Sequence, residues 1–241
     1  MGEVHDRVRA NRGADSGSRV IRELPAWKSP RAWCILLAVW IVALAIDLST
    51  KSEAFSRVAD NPVVLEPRDE VADPSYRIPW HGGVRAISPD LLDFHLVINH
   101  GAVFGIGQNA RGVFIGFTLV AVVAGLFIFG WWTRARSTWA HIAIGLILAG
   151  GVGNLYDRVV YGAVRDFLYM FPRRNLPFNL HWPGGSTDIF PWVFNVADML
   201  LLAGMALLIL LSRREDRRPE TVPQQDSGES NQVAGSQSDG E

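Results

Sequence analysis

The sequence predicts an α-helical integral membrane protein: four transmembrane helices with a small extracytoplasmic β-rich insertion between helices 1 and 2. Three observations lead to this fold class. Four long runs of the chain are apolar, basic residues flank alternate ends of these runs, and the loop between the first two runs is about 60 residues long with an alternating apolar segment. The formal net charge of −1 gives no global basic character, so no nucleic-acid partner is expected.

Each apolar run is long enough to cross a bilayer. At about 1.5 Å per residue, roughly 18–22 helical residues match a hydrocarbon core of about 30 Å. Tryptophans near the run ends are typical of membrane interfaces. The runs extend over residues 32 to 50, 112 to 132, 139 to 156, and 190 to 211.

The first run also has some features of a cleaved signal peptide, because basic residues precede it and it contains Ala43-Leu44-Ala45. The basic region is about 30 residues long, however, and the apolar run continues past this tripeptide. Both facts favour an uncleaved anchor.

Basic residues predict the orientation. Seven of the 23 Lys and Arg residues lie in residues 1–31, Arg134 and Arg136 occupy the short turn after the second run, and four Arg residues follow the last run. Because loops rich in Lys and Arg remain on the cytoplasmic side, both termini are predicted to be cytoplasmic and the two long loops to face outward.

This topology divides the chain into three regions. Residues 1–30 and 212–241 are predicted to be disordered cytoplasmic tails, because neither can bury enough apolar surface to offset the entropy of ordering. Residues 31–211 form the membrane domain, with an outer insertion near residues 52–111 and a second outer loop near 159–189. Alternation over residues 94–99 predicts a short strand in the insertion.

Polar side chains cluster at the outer ends of three apolar runs. A charged residue inside a span costs roughly 2.5–3.5 kcal/mol on insertion scales, so each one needs a partner or a function. Asp198 lies seven positions into the last run, counted from Pro191, with Asn195 one helical turn earlier. The other members of this cluster lie at the end of the third run (Asn154, Asp157 and Arg158) and at the end of the first (Asp47 and Lys51). Because these groups cannot face lipid, they are predicted to converge inside the bundle.

A pair of carboxylates is the predicted chemical centre. Asp166 follows the third run closely enough for a short return of the chain to bring it opposite Asp198. Two adjacent carboxylates share a proton, since they cannot both ionise freely. One can then activate water while the other protonates a peptide carbonyl, which is hydrolysis without a covalent intermediate. Asp157 beside Arg158 is more typical of a structural ion pair.

Five segments, taken in order, resemble the lipoprotein signal peptidase (signal peptidase II) family. They are DLSTK at 47–51, VINHGAVFG at 97–105, GGVGNLYDR at 150–158, GAVRDF at 162–167 and FNVAD at 194–198. The resemblance implies a membrane aspartic endopeptidase that needs no cofactor. It implies cleavage of the signal peptide from diacylglyceryl-modified bacterial prolipoproteins, just before the lipidated cysteine.

The resemblance also implies a role for each matched residue. Asp166 and Asp198 match the catalytic pair, and Asp47 and Lys51 match a supporting pair. Positions that shape the site or hold the substrate are matched by Asn99, Gly101, Asn154, Asp157, Arg158, Asn195 and Ala197. We expect a monomer in the bacterial cytoplasmic (inner) membrane, with its active site near the outer face. Its expected partners are lipidated prolipoprotein signal peptides and membrane lipid.

The chain departs from the family pattern in three places. Val103 occupies a position where a small residue is expected, and both the outer loop 52–90 and the segment 168–189 are longer than usual. At these places the family pattern does not predict which segment covers the site or which substrates are preferred.

Three other interpretations fit the sequence less well. A proton-coupled transporter or channel is the main alternative, but it would spread polar residues through the membrane depth rather than cluster them at the outer ends. A serine–lysine peptidase would pair Lys51 with Ser49 or Ser52, which do not face it on a helix. The six histidines show no paired ligand spacing, so no metal site is predicted.

Overall fold

The computed structural model describes residues 24–87, 90–101 and 110–216, with side chains described as far as residue 214. Four helices within these ranges are long and apolar enough to cross a membrane, which confirms the four predicted spans. The predicted tails at 1–23 and 217–241, and Val103, lie outside the described residues. The helices are α1 (Pro30–Arg57), the short α2 (Arg68–Val71), α3 (Arg111–Phe127, continued by a π-helical turn at Ile128–Trp132), α4 (Thr138–Val160) and α5 (Val196–Asp216).

The first helix begins after its N-cap Ser29 and extends further at its C-terminal end than the apolar run predicts. The Ser29 hydroxyl accepts a hydrogen bond from the Ala32 N–H at 3.3 Å, and Pro30 at the first helical position needs no partner for its nitrogen. The helix continues about two turns beyond residue 50. These turns persist because Ala54 and Phe55 are buried in a core that the helix shares with a small β-sheet.

The sheet has four antiparallel strands in chain order, β1 (Val84–Ile87), β2 (Leu92–Asn99), β3 (Val164–Met170) and β4 (Val193–Phe194). Strand β2 confirms the short strand predicted from alternation. The insertion between the first two membrane helices supplies only β1 and β2, however. Strands β3 and β4 come from the loop between α4 and α5, so the sheet joins the two long loops into one structure over the C-terminal turns of α1.

Helix α4 is the centre of the bundle, since it packs against α1, α3 and α5. Two glycines permit this close approach. A Cβ atom at Gly150 would overlap the carbonyl oxygen of Ala197 on α5, and one at Gly153 would overlap the carboxylate of Asp47 on α1. Small residues at these positions therefore bring the polar ends of three helices together.

Two adjacent glycines give a matched test of this packing. We expect Gly150→Ala to lower the melting temperature in detergent, because the added methyl meets backbone and such overpacking costs about 1–3 kcal/mol. In Gly151→Ala the new methyl lies 3.7 Å from Thr118 Cγ2, an ordinary contact. This control should melt at or above the parent temperature, since Ala favours a helix over Gly by up to about 1 kcal/mol. Equal melting of both variants would contradict the packing role of Gly150.

At the opposite end of the bundle, the residues just before α1 are packed rather than free. Ala26 is buried and its N–H donates to the Thr133 carbonyl at 2.9 Å, while the Trp27 ring stacks on Trp131 with centroids 6.3 Å apart. Residues 24–29, which the sequence analysis assigns to the N-terminal tail, thus belong to the folded domain. The tail hypothesis applies only to residues 1–23.

Candidate active site

Asp198 lies in the first turn of α5. The helix begins at Val196, so Asn195 is its N-cap and not a residue one turn earlier on the same helix, as the apolar run had predicted. The Asn195 Oδ1 accepts from the Asp198 N–H at 3.1 Å, and the Asp198 Oδ2 accepts from the Asn195 N–H at 3.2 Å. This reciprocal pair is a capping box, which satisfies two orphan N–H groups at the helix start. Asp198 is therefore fixed by the local structure that starts the helix.

Asp166 reaches the site through the register of the sheet. It lies opposite Val97 in the antiparallel pair of β2 and β3. Side chains alternate along a strand, so Asn99, two residues beyond Val97, points to the same face as Asp166. The Asn99 Nδ2 donates to the Asp166 Oδ2 at 2.9 Å, and the Asn99 Oδ1 accepts from the Gly101 N–H at 3.0 Å.

Two asparagines connect the two aspartates. The Asn195 Nδ2 donates to the Asp166 Oδ1 at 2.6 Å and to the Asn154 Oδ1 at 3.1 Å. The Asn154 Nδ2 in turn donates to the Asp198 Oδ1 at 2.9 Å. Each carboxylate thus has both oxygens hydrogen-bonded, and the same two amide side chains fix their relative position.

The two carboxyl groups have different surroundings. Asp166 is only 1 % exposed, whereas Asp198 is half-buried. Burial, followed by the nearby charge of Asp198, raises the pKa of Asp166 to about 8, and this outweighs the opposite effect of the Asn99 and Asn195 donors. Asp166 therefore retains a proton at neutral pH, as expected for one member of a carboxyl pair that shares a proton.

Asp47 and Lys51 of α1 lie beside Asn154, and Lys51 fixes the orientation of its side-chain amide. The Lys51 ammonium is fully buried and contacts three acceptors: the Asp47 Oδ2 at 2.9 Å, the Asp157 Oδ2 at 3.2 Å and the Asn154 Oδ1 at 3.0 Å. An ammonium only donates, so the oxygen of Asn154 must face Lys51 and its NH₂ group must face Asp198. Lys51 consequently sets which end of Asn154 meets the Asp198 carboxylate.

The family model described as signal peptidase (SPase) II matches residues 39–214 of this chain. The chain belongs to the signal peptidase II family. A lipoprotein signal peptidase of Desulfitobacterium hafniense (strain DSM 10664 / DCB-2) is 33 % identical over 133 residues, which is 55 % of this chain and 76 % of that protein. Another from Cupriavidus necator is 41 % identical over 127 residues, covering 51 % of this chain and 63 % of its own length.

A solved bacterial membrane enzyme shares the fold with this signal peptidase II family member. Its TM-score is 0.55 at 22 % identity, and the match covers 83 % of this chain and 98 % of the other. At this identity the likeness concerns the fold alone.

Family membership makes the chain a peptidase of the bacterial membrane, so the transporter or channel reading is not favoured. The serine–lysine reading is also disfavoured, by the contacts of Lys51. Its ammonium has three N–H bonds, and three acceptors already surround it. Neither Ser49 nor Ser52 is among the acceptors found in the described part of the chain.

Asp47 links the supporting pair directly to α5. Its second oxygen, Oδ1, accepts from the Ala197 N–H at 2.8 Å, across 150 residues of sequence. Ala197 follows the first residue of α5, so Asp47 satisfies an N–H that the capping box leaves free. The side chain of Ala197 is fully buried beside Gly153, where a larger residue would meet α4.

The charged residues at the end of α4 are arranged differently from the sequence prediction. Asp157 pairs with Lys51 and with Arg165, whose Nη2 lies 2.8 Å from the Asp157 Oδ1. Arg158 has another role: its Nη2 donates to the Gly101 carbonyl at 2.9 Å, and its guanidinium lies 5.1 Å from the centroid of the Phe114 ring. The predicted Asp157–Arg158 ion pair is thus replaced by Asp157–Arg165, and Arg158 holds the segment that directly follows β2.

Arg165 is the site residue that sequence reasoning missed. It precedes Asp166 in β3, so alternation points the two side chains to opposite faces. The Arg165 guanidinium lies 4.3 Å from the centroid of the Tyr161 ring, and the Arg165 backbone N–H donates to the Asp157 Oδ2 at 3.1 Å. The signal that could have identified it was a basic residue directly before Asp166, which a strand would direct away from the aspartate pair and toward the end of α4.

Proposed function

We propose that this chain hydrolyses the signal peptides of diacylglyceryl-modified bacterial prolipoproteins, just before the lipidated cysteine, with Asp166 and Asp198 as the catalytic pair. The observation that carries this proposal is the connection of the two carboxyl groups through one asparagine. Asn195 binds Asp166 with its side-chain NH₂ group and caps α5 together with Asp198. A buried carboxyl and a half-buried one are thereby held at the outer end of the bundle.

The unequal surroundings of the two aspartates suggest how the shared proton is used. Asp198 accepts two hydrogen bonds, from Asn154 and from the backbone of Asn195, and these donors fix the position of its carboxylate. It takes a proton from water while the water oxygen attacks the scissile carbonyl carbon. Asp166 donates its proton to the carbonyl oxygen, giving a neutral tetrahedral diol.

Collapse of this diol completes the reaction. The C–N bond breaks as the leaving nitrogen receives the proton from Asp198, and the proton of one diol hydroxyl returns to Asp166. The products are a carboxyl group and an amine, and both aspartates recover their starting states. Because no covalent bond to the enzyme forms, the serines of α1 have no part in the chemistry.

The proposed orientation has both termini in the cytoplasm and the site at the outer face. It is supported by the basic residues near one end of the bundle, among them Lys28, Arg134, Arg136, Arg213 and Arg214. The start of α1, the turn between α3 and α4, and Leu208 of α5 contact one another at this end. The aspartate pair lies at the opposite end, as the positive-inside rule requires for a substrate that has crossed the membrane.

The position of the site supports a lipidated substrate. The aspartates lie where α5 begins and just beyond the end of α4, so a scissile bond there would be at the boundary between lipid and water. A diacylglyceryl group on the residue after the scissile bond would remain in the hydrocarbon while the bond reaches the carboxyl pair. An unlipidated precursor would lose this anchoring contribution.

Cleavage of matched precursors tests the proposal. Detergent-purified full-length protein should cleave a diacylglyceryl-modified prolipoprotein, with loss of most or all cleavage for the same precursor without the lipid. Mass spectrometry of the product should place the new amino terminus at the lipidated cysteine. Equal rates on both precursors would reject the lipid requirement, and cleavage at another bond would reject the assigned position.

A further inference from the structure

The segment between β3 and β4, longer than the family pattern, folds into a hairpin of its own. The Leu176 N–H donates to the Thr187 carbonyl and the Ile189 N–H donates to the Arg174 carbonyl, each at 2.7 Å. Nearer the tip, the Trp182 N–H donates to the Ser186 carbonyl at 2.9 Å. We call residues 174–189 the outer hairpin. Its shape is fixed by backbone pairing, and none of these bonds involves the aspartate pair.

The tip of the outer hairpin exposes apolar side chains. Phe178 is 92 % exposed and Leu180 is 55 % exposed. Phe178 and Asn179 both have left-handed backbone conformations, with φ of +60° and +53°. Asparagine tolerates this conformation, but for a bulky residue such as Phe178 it is unfavourable. The Phe178 ring buries little surface against the described chain, so it is available to a partner outside the molecule.

The outer hairpin is tied to the start of a membrane helix through aromatic contacts. The Trp182 ring packs edge-on against Trp192, with centroids 4.7 Å apart, and Phe190 contacts both Trp192 and Phe194. Phe194 directly precedes Asn195, the cap of α5. This aromatic cluster therefore continues the apolar surface that α5 presents to lipid, where Met199 and Leu202 are exposed.

We propose that the outer hairpin is a membrane-surface anchor, with Phe178 and Leu180 inserted into the headgroup region of the outer leaflet. The lipid surface is the occupant that the position and composition favour. Aromatic side chains beside a helix end are typical of the membrane interface, and the exposed Arg174 and His181 are polar groups suited to the headgroups. Anchoring would hold β3, and hence Asp166, at a fixed height above the bilayer.

The substrate is a less suitable occupant for the tip. Met170, the last residue of β3, lies four positions beyond Asp166. At about 3.3 Å per residue this is roughly 13 Å along the strand, and the outer hairpin begins beyond that point. The scissile bond itself would therefore be held away from the start of the outer hairpin, whereas a lipid surface is present whether or not substrate is bound.

Depth-dependent fluorescence quenching tests this anchor. Cys34 is the only cysteine, so Phe178→Cys in a Cys34→Ser background can carry a single environment-sensitive dye. The full chain is placed in vesicles of phosphatidylethanolamine and phosphatidylglycerol, with or without nitroxide-labelled lipid. Val120→Cys, at an exposed position in the middle of α3, is the matched lipid-facing control. The measurement requires no cleavage, so its outcome is independent of the proposed catalytic roles.

We expect nitroxide at the headgroup or upper acyl position to remove most of the Phe178→Cys emission, and nitroxide deep in the chain to remove most of the Val120→Cys emission. Iodide in the aqueous phase should quench Phe178→Cys several-fold less in vesicles than in denaturant. Full iodide quenching without any effect of nitroxide lipid would overturn the anchor. Protection that develops only when a precursor peptide is added would assign the tip to substrate instead, and would equally overturn it.

Discussion

Replacing either Asp166 or Asp198 with asparagine is expected to lower kcat/KM by about 10²- to 10⁴-fold, the usual contribution of a positioned general acid or base. Asparagine nearly preserves the shape of aspartate, and its oxygen can still accept from Asn195 or Asn154. It cannot take a proton from water or deliver one to a carbonyl. The loss should therefore fall on the chemical step, while substrate affinity changes little.

Steady-state cleavage of lipidated precursor and thermal melting, measured on the same preparations, check this expectation. Both variants should melt within a few degrees of the parent, which would separate a lost proton transfer from a lost fold. Ser49→Ala and Ser52→Ala, at exposed positions of α1 beside Lys51, are the matched controls and should retain full activity. Parent-like cleavage by either asparagine variant would remove that aspartate from the proposed mechanism.

The start of α5 shows how much of the site could be predicted. A buried charge near the end of an apolar run identified Asp198, because such a charge needs a reason to be there. The apolar run also included residues 190–195, which placed the helix start too early, since Val193 and Phe194 are apolar but belong to β4. Asn195 followed three residues later by Asp198 is a capping-box pattern. It was present in the sequence and could have located the boundary.

The contacts between distant segments could not be predicted in the same way. The hydrogen bond from Ala197 to Asp47 depends on the angle at which α1 and α5 cross α4, which single-sequence patterns do not encode. Asp166 is a similar case. The distance from α4 made it a plausible partner of Asp198, but the pairing of Asp166 with Val97 across the sheet is what directs it to Asn99.

Replacing Lys51 with methionine is expected to have the largest effect on stability. The change keeps much of the side-chain volume but leaves the buried Asp47 carboxylate without its ionic partner and Asp157 with Arg165 alone. Removing one member of a buried ion pair typically costs about 3–5 kcal/mol. The amide of Asn154 would also lose the donor that fixes its orientation, so the residual folded enzyme should cleave more slowly than the parent.

A second ion pair on the same helix supplies the control. Arg57 and Glu53 are also four residues apart on α1, at 2.6 Å, but their side chains are 77 % and 57 % exposed. An exposed pair of this kind contributes at most about 1 kcal/mol, so Arg57→Met should melt close to the parent. Equal melting of Lys51→Met and Arg57→Met would show that the buried charges do not stabilise the site.

The double variant Asp47→Asn/Lys51→Met separates stability from orientation. It removes both charges of one pair, so part of the lost stability should return, because no uncompensated carboxylate remains at Asp47. Activity should not recover in parallel, since Asn154 still lacks the ammonium that turns its NH₂ group toward Asp198. If melting temperature and kcat recover together, Lys51 acts only through folding. If melting temperature recovers without kcat, Lys51 is a positioning residue for the Asp198 carboxylate.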